Sequence, residues 1–163
     1  YKRGLVKSNY IGRSFISPNQ GEREAIVKRK LNPIRKTIAG KKIAVVDDSI
    51  VRGTTSKRIV QTLREAGASE IYFISAAPPV KNPCIYGIDM SVTTELIAAQ
   101  RSLDDICNFI GADALIYLPL EDLKEIFSEM PSCMACLDGL YPTEGAAESL
   151  RLIEQDRLKS GGR

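Results

Sequence analysis

The residues best suited to chemistry lie in one stretch, Val45 to Ser56, VVDDSIVRGTTS. Asp47 and Asp48 are adjacent carboxylates that close an apolar run, Ile43 to Val46. Neighbouring side chains at a strand end diverge, so two such acids serve different contacts. A hydrated Mg²⁺ and the hydroxyls of a sugar both want oxygens of this kind. The loop that follows is rich in small residues: Ser49, Gly53, Thr54, Thr55 and Ser56, with Arg52 among them. Gly53 permits positive φ or close backbone approach. The hydroxyls add donors, and a helix amino terminus after the loop offers free N–H groups and a favourable dipole to an anion. Together these features describe a phosphate cradle. It is not a Walker A loop, because the Gly-Lys-Ser/Thr ending is absent.

Positioning such a loop requires a strand before it and a helix after it. Ile43 to Val46 reads as a buried parallel strand. Ile59, Val60, Leu63 and Ala66 then recur on one helical face, with Gly67 as the stop. Ile71 to Ile74 is a second strand, so the unit is βαβ and the strands are predicted to be parallel. A further pair follows. Ser102 and Asp105 resemble an N-cap pairing ahead of the stripe Leu103, Ile106, Cys107 and Ile110; Gly111 ends that helix and Ala114 to Leu118 is the next strand. Leu120 to Met130 has an amphipathic helical pattern, and Glu22 to Leu31 reads as a helix stopped by Asn32-Pro33. From Thr143 onward the chain is polar, with Leu150, Ile153 and Leu158 loosely spaced, the pattern of a marginal helix with a frayed end. Alternating strands and helices imply an α/β fold with a mainly parallel sheet flanked by helices.

Composition agrees with a packed domain: 163 residues, 44% hydrophobic and 26% charged. No apolar run approaches the ~20 residues that cross a bilayer, and no signal peptide is visible. The net charge of +3 hides an asymmetry. Residues 1–42 hold 12 Lys and Arg against Glu22 and Glu24, a net of +10; the remainder holds 11 against 18, a net of −7. Such a basic segment suits an anionic partner: a phosphorylated small molecule, nucleic acid or a membrane surface. His is absent, which removes imidazole acid–base chemistry and imidazole metal ligands. Of the four Cys, Cys133 and Cys136 form a C-x-x-C, with Cys84 about fifty residues upstream and Cys107 on the apolar face of its helix. Taken alone, the C-x-x-C spacing fits zinc, a redox pair or neither.

The apolar run, the acid pair and the loop ending Gly-Thr-Thr resemble the phosphoribosylpyrophosphate signature of type I phosphoribosyltransferases. DDSIVRGTTS, REAGA (Arg64 to Ala68), SAAPP (Ser75 to Pro79), YGIDM (Tyr86 to Met90), YIGRSFI (Tyr10 to Ile16) and KRKLNPIR (Lys28 to Arg35) are similar to the amidophosphoribosyltransferases, collinearly over roughly residues 1–142. The resemblance implies a type I phosphoribosyltransferase-like fold whose first elements lie outside this sequence. The activity it implies is attack of ammonia on C1 of phosphoribosylpyrophosphate, which forms 5-phosphoribosylamine and pyrophosphate and opens purine biosynthesis. It implies that Asp47 and Asp48 contact Mg²⁺ and the ribose, while Ser49 to Ser56, Arg52 included, hold the 5′-phosphate. Lys7 to Gln20 matches a closing loop, in which Lys7, Tyr10 and Arg13 would meet the pyrophosphate and seal the site; Gly12 is a candidate hinge. Cys84, Cys133 and Cys136 match three ligands of a [4Fe–4S] cluster, the fourth being expected before Tyr1.

By the same resemblance residues 1–130 form the phosphoribosyltransferase domain, with 1–20 as the loop region, and 131–163 a cysteine-containing segment with a polar tail. The implied setting is a cytoplasmic homo-oligomer with a glutaminase domain and purine nucleotide feedback inhibitors, and without nucleic-acid or membrane partners. Two other readings compete. A non-catalytic regulator would keep the phosphoribosylpyrophosphate site and bind nucleic acid through the basic segment, but no helix-turn-helix is visible. A salvage transferase would act on a nucleobase, but the YGIDM and C-x-x-C region does not resemble that group.

Overall fold

The computed structural model describes residues 2–7, 31–88 and 92–160. Its centre is a three-stranded sheet, β3 (Lys42–Asp47), β4 (Glu70–Ser75) and β5 (Ala114–Tyr117), in the order β3-β4-β5 with both pairings parallel. Ahead of it, β1 (Leu5–Lys7) and β2 (Leu31–Pro33) pair antiparallel, Lys7 opposite Leu31, and α1 (Arg35–Ile38) follows. The long α2 (Thr54–Glu65) connects β3 to β4. A 3₁₀ turn (Thr93–Glu95), α3 (Ile97–Gln100) and α4 (Leu103–Ile110) lead to β5. Three helices end the chain: α5 (Leu120–Ile126), α6 (Ala135–Asp138) and α7 (Ala146–Ser160).

The core lies between one sheet face and the helices. Phe73 and Ile71 are fully buried and meet Val60 and Leu63 of α2 and Ile106 and Ile110 of α4. Several expectations are met here. The βαβ strands are parallel, and α2 gives way at Ala66 and Gly67. Ser102 caps α4, accepting from the Asp105 N–H at 3.2 Å while its hydroxyl donates to the Asp105 carboxylate at 2.7 Å. Gly111 closes α4 in the left-handed region.

Other expectations are corrected. β3 is only half-buried: Val46 is 69% exposed, and Ile116, on the same face, is 51% exposed. Among the described residues the helices cover only the face that carries Val45, Phe73 and Leu115. Leu31 and the Asn32-Pro33 pair are strand rather than a helix end, because proline holds its predecessor extended and β1 supplies the partner; residues 22–30 of that expected helix lie outside the described residues. The helix expected to reach Met130 ends at Ile126, in turns. The helix expected in the tail is present, over the 15 residues Ala146–Ser160.

Candidate functional site

The carboxyl ends of the parallel strands bring Asp47, Ser75 and Tyr117 into one register row. This is where open α/β sheets bind ligands. Asp47 is half-buried, and loss of water raises its carboxyl above the usual range; the Asp48 N–H, 3.1 Å from Oδ1, opposes that rise, and the Asp48 charge adds to it. Asp48 is exposed and turns the other way, accepting from the Ser49 N–H at 2.6 Å and the Ser49 hydroxyl at 3.3 Å. The two acids therefore differ in solvation and in partners, as divergent side chains at a strand end should. The Ser75 hydroxyl is spent on the Ala77 carbonyl at 2.7 Å. Tyr117 carries the one buried side-chain polar atom without a partner among the described residues, and burial pushes its phenol up to about 12, so it stays protonated.

The loop after the acids is anchored by Ile50, 1% exposed, and turns into α2 at Gly53. Gly53 has φ 73°, and a β-carbon there would lie 2.8 Å from Ile97 Cδ1 and 3.1 Å from the Phe109 ring. Only glycine meets both demands. Its carbonyl accepts the Lys57 N–H at 2.9 Å, and no side chain caps the helix, which leaves the first N–H groups of α2 facing the loop. Thr54 and Thr55 are exposed, but Ser56 is 1% exposed on the inner face of the helix, so the structure does not present its hydroxyl to a ligand. Arg52 is exposed, yet its guanidinium is engaged: Nε donates to Glu95 Oε2 at 3.1 Å, and Nη2 donates to the same oxygen. Lys57 and Arg101 both lie against the Phe109 ring, 4.7 and 4.8 Å from its centroid. These contacts were not visible in the sequence, because no local spacing links position 52 to 95 or 57 to 109.

Of the expected closing loop, Lys7 lies in β1, while Tyr10, Gly12 and Arg13 fall outside the described residues.

The expected thiol ligands come from two segments that are tied together. The N–H groups of Lys81 and Asn82 both donate to the Cys136 carbonyl at 3.0 Å, and the Tyr141 hydroxyl donates to the Pro83 carbonyl at 2.7 Å. Burial raises the Cys136 thiol, and the nearby Cys84 and Cys133 raise it further. Three thiols thus share one neighbourhood. Among the described residues no group of three or more His, Cys, Asp or Glu side chains is placed so that it could hold a metal ion. Cys107 stands apart: burial raises its thiol, which donates to the Ala112 carbonyl at 3.3 Å and packs on the core. An open cavity of about 270 Å³ lies beside Cys133, against Lys124, Phe127 and Leu140, away from the acid pair. No helix among the described residues is long and apolar enough to cross a membrane.

A parallel sheet with an acid pair at a strand end and a glycine turn into a helix is a type I phosphoribosyltransferase-like arrangement. Comparison with solved structures agrees. Glutamine phosphoribosylpyrophosphate amidotransferase from B. subtilis, complexed with ADP and GMP, superimposes with a TM-score of 0.76 at 47% identity over 88% of this chain and 33% of that one. A structure described as the allosteric regulatory enzyme of purine biosynthesis gives 0.76 at 48% identity, covering 88% of this chain and 32% of that one. Among curated proteins, amidophosphoribosyltransferase of Methanothermobacter thermautotrophicus is 50% identical over 145 residues, 88% of this chain and 31% of that protein. Amidophosphoribosyltransferase 2, chloroplastic, of Arabidopsis thaliana is 44% identical over 164 residues, 99% of this chain and 28% of that protein. No family model matches. Over the shared stretch the chain is a relative of the amidophosphoribosyltransferases. It spans about a third of the length of the curated relatives it matches.

Proposed function

We propose that this chain is the phosphoribosyltransferase part of an amidophosphoribosyltransferase, transferring ammonia to phosphoribosylpyrophosphate with release of pyrophosphate as the first step of purine biosynthesis. The observation that carries the reading is the acid pair on β3 followed by the Gly53 turn, in a chain 44–50% identical to proteins named for that activity. Those names also favour it over a nucleic-acid-binding regulator.

Little covalent catalysis is needed. The N–H groups at the start of α2 and the Thr54 and Thr55 hydroxyls hold the 5′-phosphate, with Ser49 beside them. Asp47 and Asp48 face the ribose hydroxyls and would hold a hydrated Mg²⁺, which would supply positive charge to offset that of the pyrophosphate. Fixing both ends of the substrate aligns C1 with ammonia, and preorganised charge favours the oxocarbenium-like centre as the C1–O bond breaks. Lys7, Tyr10 and Arg13 belong to the loop that closes over the pyrophosphate and excludes water, which would otherwise hydrolyse the activated sugar.

Cys84, Cys133 and Cys136 would supply three ligands of a [4Fe–4S] cluster, which would cross-link two segments. The complete protein adds a glutaminase domain as the ammonia source and responds to purine nucleotides, as a homo-oligomer in the cytoplasm. The test is product identity: the complete protein, given phosphoribosylpyrophosphate, Mg²⁺ and ammonia, releases pyrophosphate and forms 5-phosphoribosylamine, detected by trapping and mass spectrometry. Turnover with a nucleobase in place of ammonia would make it a salvage enzyme instead.

A further inference from the structure

The Arg52 guanidinium does not stand free beside the phosphate loop. It is held by Glu95, in a solvent-facing turn whose flanking residues are buried: Val92 is 8%, Leu96 1% and Ile97 8% exposed. The same segment grips the loop twice more. The Ile97 N–H donates to the Val51 carbonyl at 2.9 Å, and the Ile97 side chain fills the space that a β-carbon on Gly53 would need. At its other end the turn is fastened to the carboxy-terminal helix, for Glu154 Oε1 of α7 accepts the Thr93 N–H at 3.0 Å. The Thr93 amide belongs to the first residue of the turn, and Glu95 is its last. Residues 61 positions apart thus meet at one end of a short turn, and residues 43 apart meet at the other.

On the strength of the phosphoribosylpyrophosphate reading of this loop, we infer that Glu154 and Glu95 are positioning residues: α7 sets the Thr93–Glu95 turn, and the turn sets the loop through Arg52 and Val51. Neither acid touches substrate. Glu154 acts as a hydrogen-bond acceptor rather than as a charge, so an amide in its place keeps the function. Glu95 acts through its ion pair with Arg52, so an amide there does not. The buried residues on either side, Val92, Leu96 and Ile97, hold the turn in place, so displacement at one end is passed to the other rather than absorbed.

The complete protein tests this with two readouts, titration of phosphoribosylpyrophosphate in the presence of Mg²⁺ and steady-state kinetics with ammonia. Glu154→Ala is expected to raise KM and the dissociation constant for phosphoribosylpyrophosphate about fivefold with kcat held within about twofold. Glu95→Gln is expected to do the same, Glu154→Gln to stay within about twofold of the parent in both constants, and the double variant Glu95→Gln/Glu154→Ala to be no worse than the poorer single one. If Glu154→Ala does not fold, Glu95→Gln and Glu154→Gln carry the comparison. A parent that binds the substrate while Glu154→Ala binds equally well, an impaired Glu154→Gln, an unaffected Glu95→Gln, or additive losses in the double variant overturns the inference. A parent that does not bind phosphoribosylpyrophosphate overturns the reading on which it rests.

Discussion

Gly53 combines two constraints that most loop glycines meet singly. Its φ of 73° disfavours any side chain, and Ile97 and Phe109 fill the place where one would go. Gly40 offers the comparison within this chain: φ is 68°, with nothing within 4 Å of a built β-carbon. Gly40→Ala is therefore expected to cost about 1 kcal/mol from backbone strain alone. Gly53→Ala is expected to cost about 2–3 kcal/mol, because a packed neighbour must also move. Urea unfolding of the two variants measures the difference, and equal losses would mean that Ile97 does not constrain the loop. The sequence pointed to Gly53 through its place between the acid pair and the threonines. It was silent on the reason the loop stays in shape, since Glu95, Ile97 and Phe109 come from a segment more than forty residues later. Ser56 misled for a related cause. It shares the hydroxyl chemistry of Thr54 and Thr55, but the helical turn that begins at Thr54 carries it round to the core.

Between elements, the carboxyl end of α2 is pinned by Arg64 and Asp113. Asp113 Oδ2 accepts the Ile71 N–H at 2.6 Å and the Arg64 Nη2 at 2.6 Å, while Arg64 Nη1 donates to the Ser69 carbonyl at 3.1 Å. The Ile71 N–H, more than Arg64, holds the Asp113 carboxyl below its ordinary range. A folded pKa below the unfolded one stabilises the protein above the unfolded value of about 3.9, and that contribution is lost as pH falls through the folded value. Asp113→Ala is expected to lower stability by about 1 kcal/mol at neutral pH, a modest figure because the pair is solvent-exposed. The gap between variant and parent should close as the pH is taken below 3.9 toward the folded pKa, measured by chemical denaturation. A gap that stayed constant with pH would remove the charge from the account. Strands and helices with strong period, β3 to β5 with α2 and α4, were legible from spacing. The short pairing of β1 with β2 was not, because three residues carry no periodic signal and Asn32-Pro33 ends a helix as readily as it borders a strand.

Over the whole molecule, the segment near Cys84 and the one from Cys133 to Tyr141 are already joined by backbone and tyrosine hydrogen bonds. A cluster ligated by Cys84, Cys133 and Cys136 would tighten an existing contact, so losing a ligand should lower stability before it alters substrate affinity. Anaerobic iron and sulfide analysis of the complete protein is expected to show loss for Cys84→Ser, Cys133→Ser and Cys136→Ser. No loss is expected for Cys107→Ser, whose thiol is spent on the Ala112 carbonyl and the core. Equal loss for Cys107→Ser, or zinc in the parent, would contradict that assignment. The central claim concerns the acid pair, and ammonia-dependent pyrophosphate release by Asp47→Asn and Asp48→Asn tests it most directly. Each substitution is expected to cut turnover about a hundredfold or more while thermal stability stays near that of the parent, since preorganised groups at a reacting centre are typically worth that much. Parent-like turnover in both variants would contradict it.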